Sequence, residues 1–375
     1  MKILHISESF EGGVASAVAN YVDLTPEHEH FLLCNKRGGR LGGGILGKFS
    51  TVHNLTKGHF SAIKTVRSVV DKVKPDVIHC HSSIGGGYTR LAYFLRRRPA
   101  LVVYSPHCYA YERKDISRLT RAVFYALEWI LARRTDVVAV CSLREEKLAL
   151  RLRKKTRVVY VPNLPSVAGG SSLPFGRRKN RVVMVGRLSP QKDPEWFVDF
   201  VRLANSESFP AVRAHSMPNT ARLRSSEEDP DFIQARKVWD SVEFLWVGDG
   251  EARYREILER AGVKVMGWAE SKEVAKALGE AKVYLHSARW EGFPVTILDA
   301  YACGTAIVAR KATYLDGVRG VEVGTVEAAV REVRKLLEDG KKWQKNQEVW
   351  GKALANNTSL LAKKRLGQVY ALAIS

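Results

Sequence analysis

Short apolar runs rich in β-branched residues alternate with helix-patterned segments along this chain, and the alternation occurs twice. In the first half the runs fall at 2–7, 30–33, 77–81, 101–106, 137–141 and 158–162, with helical spacing at 14–24, 59–74 and 118–134. Several runs are apolar on both faces, which suits strands buried in a parallel sheet. Parallel neighbours need a crossover, and the helical segments supply it. Pro162-Asn163-Leu164-Pro165 and then Gly169-Gly170-Ser171-Ser172 break the pattern. A second series follows at 181–185, 243–247, 264–266, 282–286 and 306–308. The spacing predicts an α/β chain of two Rossmann-like halves, 1–170 and 171–350, with a helical stretch over 349–374. Residues 205–240 leave the rhythm: 206–231 is polar and interrupted by Pro210, Pro218 and Pro230. This reads as an insertion, either one carrying a mobile loop or a solvated excursion without a role.

The 375 residues carry a formal charge of +21. Residues 1–170 hold 27 Lys+Arg against 13 Asp+Glu, and the remainder hold 33 against 26. A basic first half attracts anionic headgroups, polyphosphates or nucleic acid, or simply keeps the protein soluble. Along 90–98 and 118–134, Tyr93, Phe94, Phe124, Trp129 and Ile130 are interleaved with Arg96, Arg97, Arg98, Arg133 and Arg134. That pattern fits an anionic membrane surface or a core-facing helix with a basic edge. No run approaches the ~20 apolar residues of a membrane-spanning helix. Residues 1–6 read as a first strand rather than a signal peptide. Cys34, Cys80, Cys108, Cys141 and Cys303 are scattered, without a Cys-x-x-Cys. They predict reduced thiols, a cytoplasmic setting and no structural zinc.

Ligands of open α/β sheets bind beyond the carboxyl ends of the strands. Arg187 and Lys192 lie just past the strand ending at Val185, and Asp193-Pro194 opens the next helix. Glu291-Gly292-Phe293-Pro294-Val295 leads into a helix that carries Asp299. Pro294 suits a first turn, where its missing N–H is not needed. Free N–H groups there favour an anion. Carboxylates accept from hydroxyl pairs, so two cations, a helix start and two spaced acids suit a sugar nucleotide.

Gly186-Arg187-(x)4-Lys192 together with Glu291-(x)7-Asp299 resembles the donor site of the retaining glycosyltransferases of family 4, which have the GT-B fold. The family pattern ends in Glu; Asp299 is one methylene shorter. The resemblance implies two Rossmann-like domains facing across a cleft. The acceptor would lie on 1–170, the nucleotide sugar on 171–350, and a last helix in 351–375 would cross back to the first domain. Glu291 would meet hydroxyls of the transferred sugar and Asp299 the ribose. Arg187 and Lys192 would neutralise the diphosphate without a metal or other cofactor. Gly248 and Asp249 match the glycine-rich turn beside the donor, and Gly267 the segment whose backbone meets the base. The neighbouring Trp268 would stack on that base or sit in the core. Gly292, Phe293, Pro294 and Val295 would line the diphosphate, Gly12 and Gly13 would face it across the cleft, and His107 would lie near the anomeric carbon. The implied partners are a UDP- or GDP-linked sugar and a glycan or lipid-linked glycan acceptor of bacterial surface polysaccharide assembly (lipopolysaccharide or exopolysaccharide), with the enzyme on the inner face of the plasma membrane.

Other features compete with this reading. Gly42-(x)-Gly44-(x)2-Gly47 spells a dinucleotide fingerprint, but no phosphate-binding helix opens from it. His79 and His81 could hold a metal, yet no third ligand is evident. A non-hydrolysing sugar-nucleotide epimerase of the same fold is one rival. A non-catalytic protein that uses its charge on nucleic acid or a membrane is another; no nucleic-acid motif is present, and no nucleic acid partner is expected.

Overall fold

The computed structural model describes residues 1–35, 43–167, 169, 173–206 and 238–374. Most of the 205–240 insertion, Gly42 of the glycine run, and the Gly170-Ser171-Ser172 part of the break lie outside the described residues.

The chain forms two parallel sheets. The first has β1 (Lys2–Ser9), β2 (Glu29–Asn35), β3 (Thr51–Asn54), β4 (Val77–His81), β5 (Leu101–Ser105), β6 (Val137–Val140) and β7 (Arg157–Tyr160), in the order β3-β2-β1-β4-β5-β6-β7. The second has β8 (Lys179–Val185), β9 (Glu243–Val247), β10 (Lys264–Gly267), β11 (Ala281–His286), β12 (Ala306–Arg310) and β13 (Glu322–Val323), in the order β10-β9-β8-β11-β12-β13. Every strand pairs in parallel with its neighbours. The order reverses between β1 and β4 in one sheet and between β8 and β11 in the other. Crevices open at such switch points beyond the carboxyl ends of the strands. The loops after β1, β8 and β11 carry Gly12 and Gly13, Arg187 and Lys192, and Glu291 to Pro294, while Gly248 and Asp249 follow β9 and His107 follows β5. Two short edge strands, β3 and β13, escaped the sequence reading because they are too brief to show a run.

Each sheet is covered on both faces, which explains why its strands read as continuously apolar. Val182, Val183, Met184, Phe197, Trp246, Leu285 and Ile307 anchor the second core. Leu4, Ile6, Val66, Ile78, Val102 and Val140 anchor one face of the first sheet. Its other face is closed from far along the chain. Leu366, Val369 and Tyr370 pack there with Ile3, Tyr21, Val77, Val103 and Val137.

The expected single helix over 349–374 is two, Gly340–Ala353 and Ser359–Tyr370. Asn356-Asn357-Thr358 interrupts it, and the Thr358 hydroxyl accepts from the Leu361 N–H at 3.3 Å, capping the new helix. Asn357 Nδ2 also donates to Asn163 O at 2.9 Å, so the two crossings between domains run side by side.

The basic stretch at 90–98 needs a correction. Arg90 is buried rather than at a basic surface: Nη1 lies 2.9 Å from Glu128 Oε2, and the guanidinium sits 4.0 Å above the Tyr104 ring. Tyr104 donates to the other Glu128 oxygen at 2.9 Å. A buried arginine needs such an enclosure, and Glu128 lies too far along the chain for spacing to suggest it.

Candidate active site

The loop after β8 and the loop after β11 are tied to each other. Lys192 Nζ pairs with Glu291 Oε1 at 2.5 Å, and both side chains are mostly shielded from solvent. Gln191 Nε2 donates to Glu291 Oε2 and to Trp290 O, each at 3.0 Å. Ser287 Oγ donates to Lys192 O at 2.6 Å. Both oxygens of Glu291 are therefore engaged inside the domain. Gly186 makes this possible, since a Cβ there would lie 2.9–3.0 Å from the Lys192 stem. Arg187 stands apart and exposed, its Nη1 4.0 Å from Glu11 Oε2 of the opposite domain. Asp193, in the left-handed region at φ 51, caps the Pro194–Asn205 helix through the Trp196 N–H and pairs with Arg310.

Gly248 is required by packing within the domain, and Gly267 by its left-handed backbone at φ 81. Gly248 has φ 133, and a Cβ on it would lie 2.1 Å from Gly186 O; its N–H donates to Gly267 O at 2.9 Å. They clamp the carboxyl ends of β8, β9 and β10 together. Asp249 pairs with Arg255 at 2.9 Å and accepts from the Gly250 N–H at 2.8 Å. Trp268 is half exposed rather than a core residue.

Pro294 is the N-cap of the Val295–Ala302 helix, and no side chain caps that start. Phe293 is buried, and its carbonyl accepts from Asn163 Nδ2 at 3.0 Å. Asp299 is buried in the same helix. Its Oδ1 accepts from the N–H groups of Ser166 and Val167 at 2.6 and 3.2 Å, and its Oδ2 from Ser166 Oγ at 2.8 Å. Burial pushes its pKa up to about 6, against the pull of those donors. The structure thus turns Asp299 toward the chain that crosses between domains, and a ribose would have to take its oxygens from Ser166 and Val167.

Across the cleft, Glu11 precedes the Gly12–Leu24 helix, whose N-terminus is likewise uncapped by a side chain. Gly12 has φ 52, and a Cβ on Gly13 would lie 3.8 Å from Val295 Cγ2. His107 and Cys108 follow β5 in the left-handed region, at φ 50 and 93. Glu145 holds this strained turn, accepting from the Cys108 N–H at 2.6 Å and from the Cys141 N–H at 3.0 Å. Gly292 packs against it from the other domain. A Cβ there would lie 2.8 Å from Cys108 N, from Glu145 Oε1 and from His107 C. Arg187, Gly13, His107, Gly292 and Val295 therefore converge on the domain interface. Lys192 and Glu291 are bound to each other on its second-domain side, and Asp299 lies behind it.

His79 and His81 do have a third partner, His5, and these three are the sole cluster of metal-ligand type among the described residues. All six ring nitrogens are already hydrogen-bonded, however. His5 bonds to His81 and His30, His79 to Tyr370 and Ser105, and His81 to His5 and His107.

Sequence reasoning missed Gln191, Glu145, Asn163 and Ser166, which hold the named residues in place. It also missed His286, buried at the end of β11 with Nδ1 2.7 Å from the Tyr284 hydroxyl and Nε2 unpartnered among the described residues. Burial, with Lys192 nearby, keeps that ring well below its ordinary pKa and neutral.

Two family models match the chain in succession: "Glycosyl transferase 4-like domain" over 32–164 and "Glycosyl transferases group 1" over 179–339. An uncharacterized 41.2 kDa protein in the cps region of Klebsiella pneumoniae is 24% identical over 352 residues, covering 88% of this chain and 87% of that one. The Escherichia coli UDP-Gal:alpha-D-GlcNAc-diphosphoundecaprenol alpha-1,3-galactosyltransferase is 25% identical over 275 residues, 66% of this chain and 62% of its own length. Among solved structures, Anabaena HepE in complex with UDP and glucose superposes with a TM-score of 0.73 at 17% identity, covering 99% of this chain and 100% of that one.

Proposed function

Given that this chain is a glycosyltransferase with the GT-B fold, we propose that it is a retaining, metal-independent enzyme moving a hexose from a UDP- or GDP-linked donor to a hydroxyl of a lipid-linked glycan. The observation that carries the reading is the Lys192–Glu291 pair at the β8–β11 switch point, facing Arg187 and two uncapped helix starts. A diphosphate entering there takes Lys192 from Glu291. The released carboxylate becomes the acceptor for hydroxyls of the transferred sugar. The acceptor oxygen bonds to the anomeric carbon on the face from which the diphosphate departs. The bond from that carbon to the phosphate oxygen breaks, and the departing oxygen takes the acceptor's proton. Arg187, Lys192 and the N–H groups after Pro294 stabilise the negative charge that develops on the diphosphate.

The acceptor class rests on the Escherichia coli relative, whose named substrate is a diphosphoundecaprenol-linked sugar. The Arg118–Leu131 helix supports work at a membrane surface. Leu119 is 76% exposed, Val123 52% and Leu127 45%, with Arg118 and Arg121 on the same helix and Arg133 and Arg134 just past its end. An apolar stripe with a basic rim suits an anionic bilayer. No helix among the described residues is long and apolar enough to cross one.

A calorimetric and thermal-shift panel of UDP, GDP, ADP and their sugar conjugates, with and without magnesium, tests the reading. Binding of one nucleotide without metal, lost in Lys192→Ala, is expected. Absence of binding by every nucleotide would sink it.

A further inference from the structure

Behind His107, four imidazoles form one continuous hydrogen-bonded chain through the first domain. His107 Nε2 lies 3.1 Å from His81 Nδ1, His81 Nε2 3.0 Å from His5 Nδ1, and His5 Nε2 3.1 Å from His30 Nδ1. The chain ends where His30 Nε2 lies 3.0 Å from Thr25 O and 3.2 Å from Thr25 Oγ1. The Thr25 hydroxyl donates to Tyr21 O at 2.7 Å, so it too presents an acceptor to His30.

That end fixes the rest. A carbonyl can only accept, so His30 carries its proton on Nε2. Burial holds His30, His5 and His81 below the ordinary histidine pKa and His107 down to about 4, so each ring is neutral with one proton. The Nδ1 of His30 then accepts, and His5 donates from Nε2. The same step repeats at His81 and at His107. One assignment satisfies every contact, and it leaves the lone pair of His107 Nδ1 unused. That atom makes no hydrogen bond among the described residues, and His107 is only partly buried.

We infer that the chain His30–His5–His81 is a positioning relay that presets His107 as a hydrogen-bond acceptor at Nδ1, selecting a ligand hydroxyl that donates there. The inference rests on the proposed function and on the resemblance that puts His107 beside the transferred sugar. The relay positions and does not conduct: a proton reaching Nδ1 has no exit at the Thr25 end. His79 differs in kind, since its partners Tyr370 and Ser105 are rotatable hydroxyls that impose no tautomer.

Long-range proton–nitrogen NMR of the imidazoles at neutral pH, without nucleotide, reads the tautomers directly. His107, His81, His5 and His30 are expected to be protonated at Nε2 alone. In His30→Phe, which keeps a ring but removes the anchor, the two His107 nitrogen resonances are expected to move toward each other as its tautomers mix. A His107 protonated at Nδ1, or already averaging in the wild type, overturns the inference, as does an unchanged His107 in His30→Phe. If that variant fails to fold, the wild-type spectrum alone still decides. No nucleotide enters this experiment, so its failure leaves the donor-site reading standing. Conversely, a failed nucleotide panel leaves the tautomers untouched.

Discussion

The two walls of the cleft are built from different chemistry. Apart from Glu11 at its edge, the first-domain wall is neutral: behind the partly buried His107 its histidines are buried, uncharged and hydrogen-bonded to one another. The second-domain wall is charged and exchangeable, with Lys192 and Glu291 paired to each other. A neutral buried network has one low-energy arrangement and keeps its shape. An ion pair at a binding site has two, and an incoming anion chooses between them. Under the proposed function, the contrast means that the first domain sets direction while the second supplies charge to an incoming diphosphate.

The sharpest way to break this contrast is to remove the charged wall. Lys192→Ala and Glu291→Ala are each expected to lower kcat by about 10²–10³, the range seen when one stabilising group for developing charge is lost. Melting temperatures should stay near that of the wild type in Glu291→Ala. Wild-type turnover in both variants would remove the charged wall from the mechanism.

The second break lies where the walls touch. Gly292→Ala places a methyl 2.8 Å from backbone and from Glu145, while Gly13→Ala meets Val295 at an ordinary 3.8 Å. The first should cost about 1–3 kcal/mol, as overpacking does, and the second almost nothing. Denaturant titration of both variants measures the difference, and equal stabilities would show that the domains do not meet as described.

A third test is pH. Histidines whose folded pKa is depressed give stability that is complete above the unfolded value near 6.5 and is lost as pH falls from there toward the folded value. For His107 that window runs from about 6.5 to about 4. Each ring steepens the fall by about 1.4 kcal/mol per pH unit within its own window. Unfolding midpoints measured from pH 7.5 to 5 should drop, with a shallower slope in His5→Phe.

The smallest effect belongs to the outer surface. Leu119→Glu combined with Leu127→Glu should reduce binding to vesicles containing anionic lipid by roughly tenfold, about 1.4 kcal/mol. Turnover on a water-soluble acceptor should hold. Unchanged vesicle binding in a sedimentation assay would strip this helix of the membrane role proposed for it.

How much of this was legible differs between the two walls. The charged wall announces itself because Arg187, Lys192, Glu291 and Asp299 sit within two short stretches at strand ends. The neutral wall does not, since His5, His30, His81 and His107 come from four strand regions and meet only through sheet register: His5 lies beside His79 in β1–β4, and Leu32 beside His5 in β1–β2. Arg90 was misread because its partner Glu128 is brought to it by packing alone. Asp299 was legible as an acid but not as a ligand of the interdomain chain, because Ser166 follows a break with no pattern of its own. Strands buried on both faces were visible from their composition; edge strands of two and four residues were not.

The side-by-side crossings at Asn163 and Asn357 carry a mechanical consequence. Two bodies joined by one strap can twist, tilt and slide against each other. Joined by two straps fastened together, they keep chiefly a rotation about the line through the fastening. Opening of the cleft is then a swing of fixed axis. Its arc is smallest beside Asn163, where Ser166 is held to Asp299, and grows with distance from that fastening.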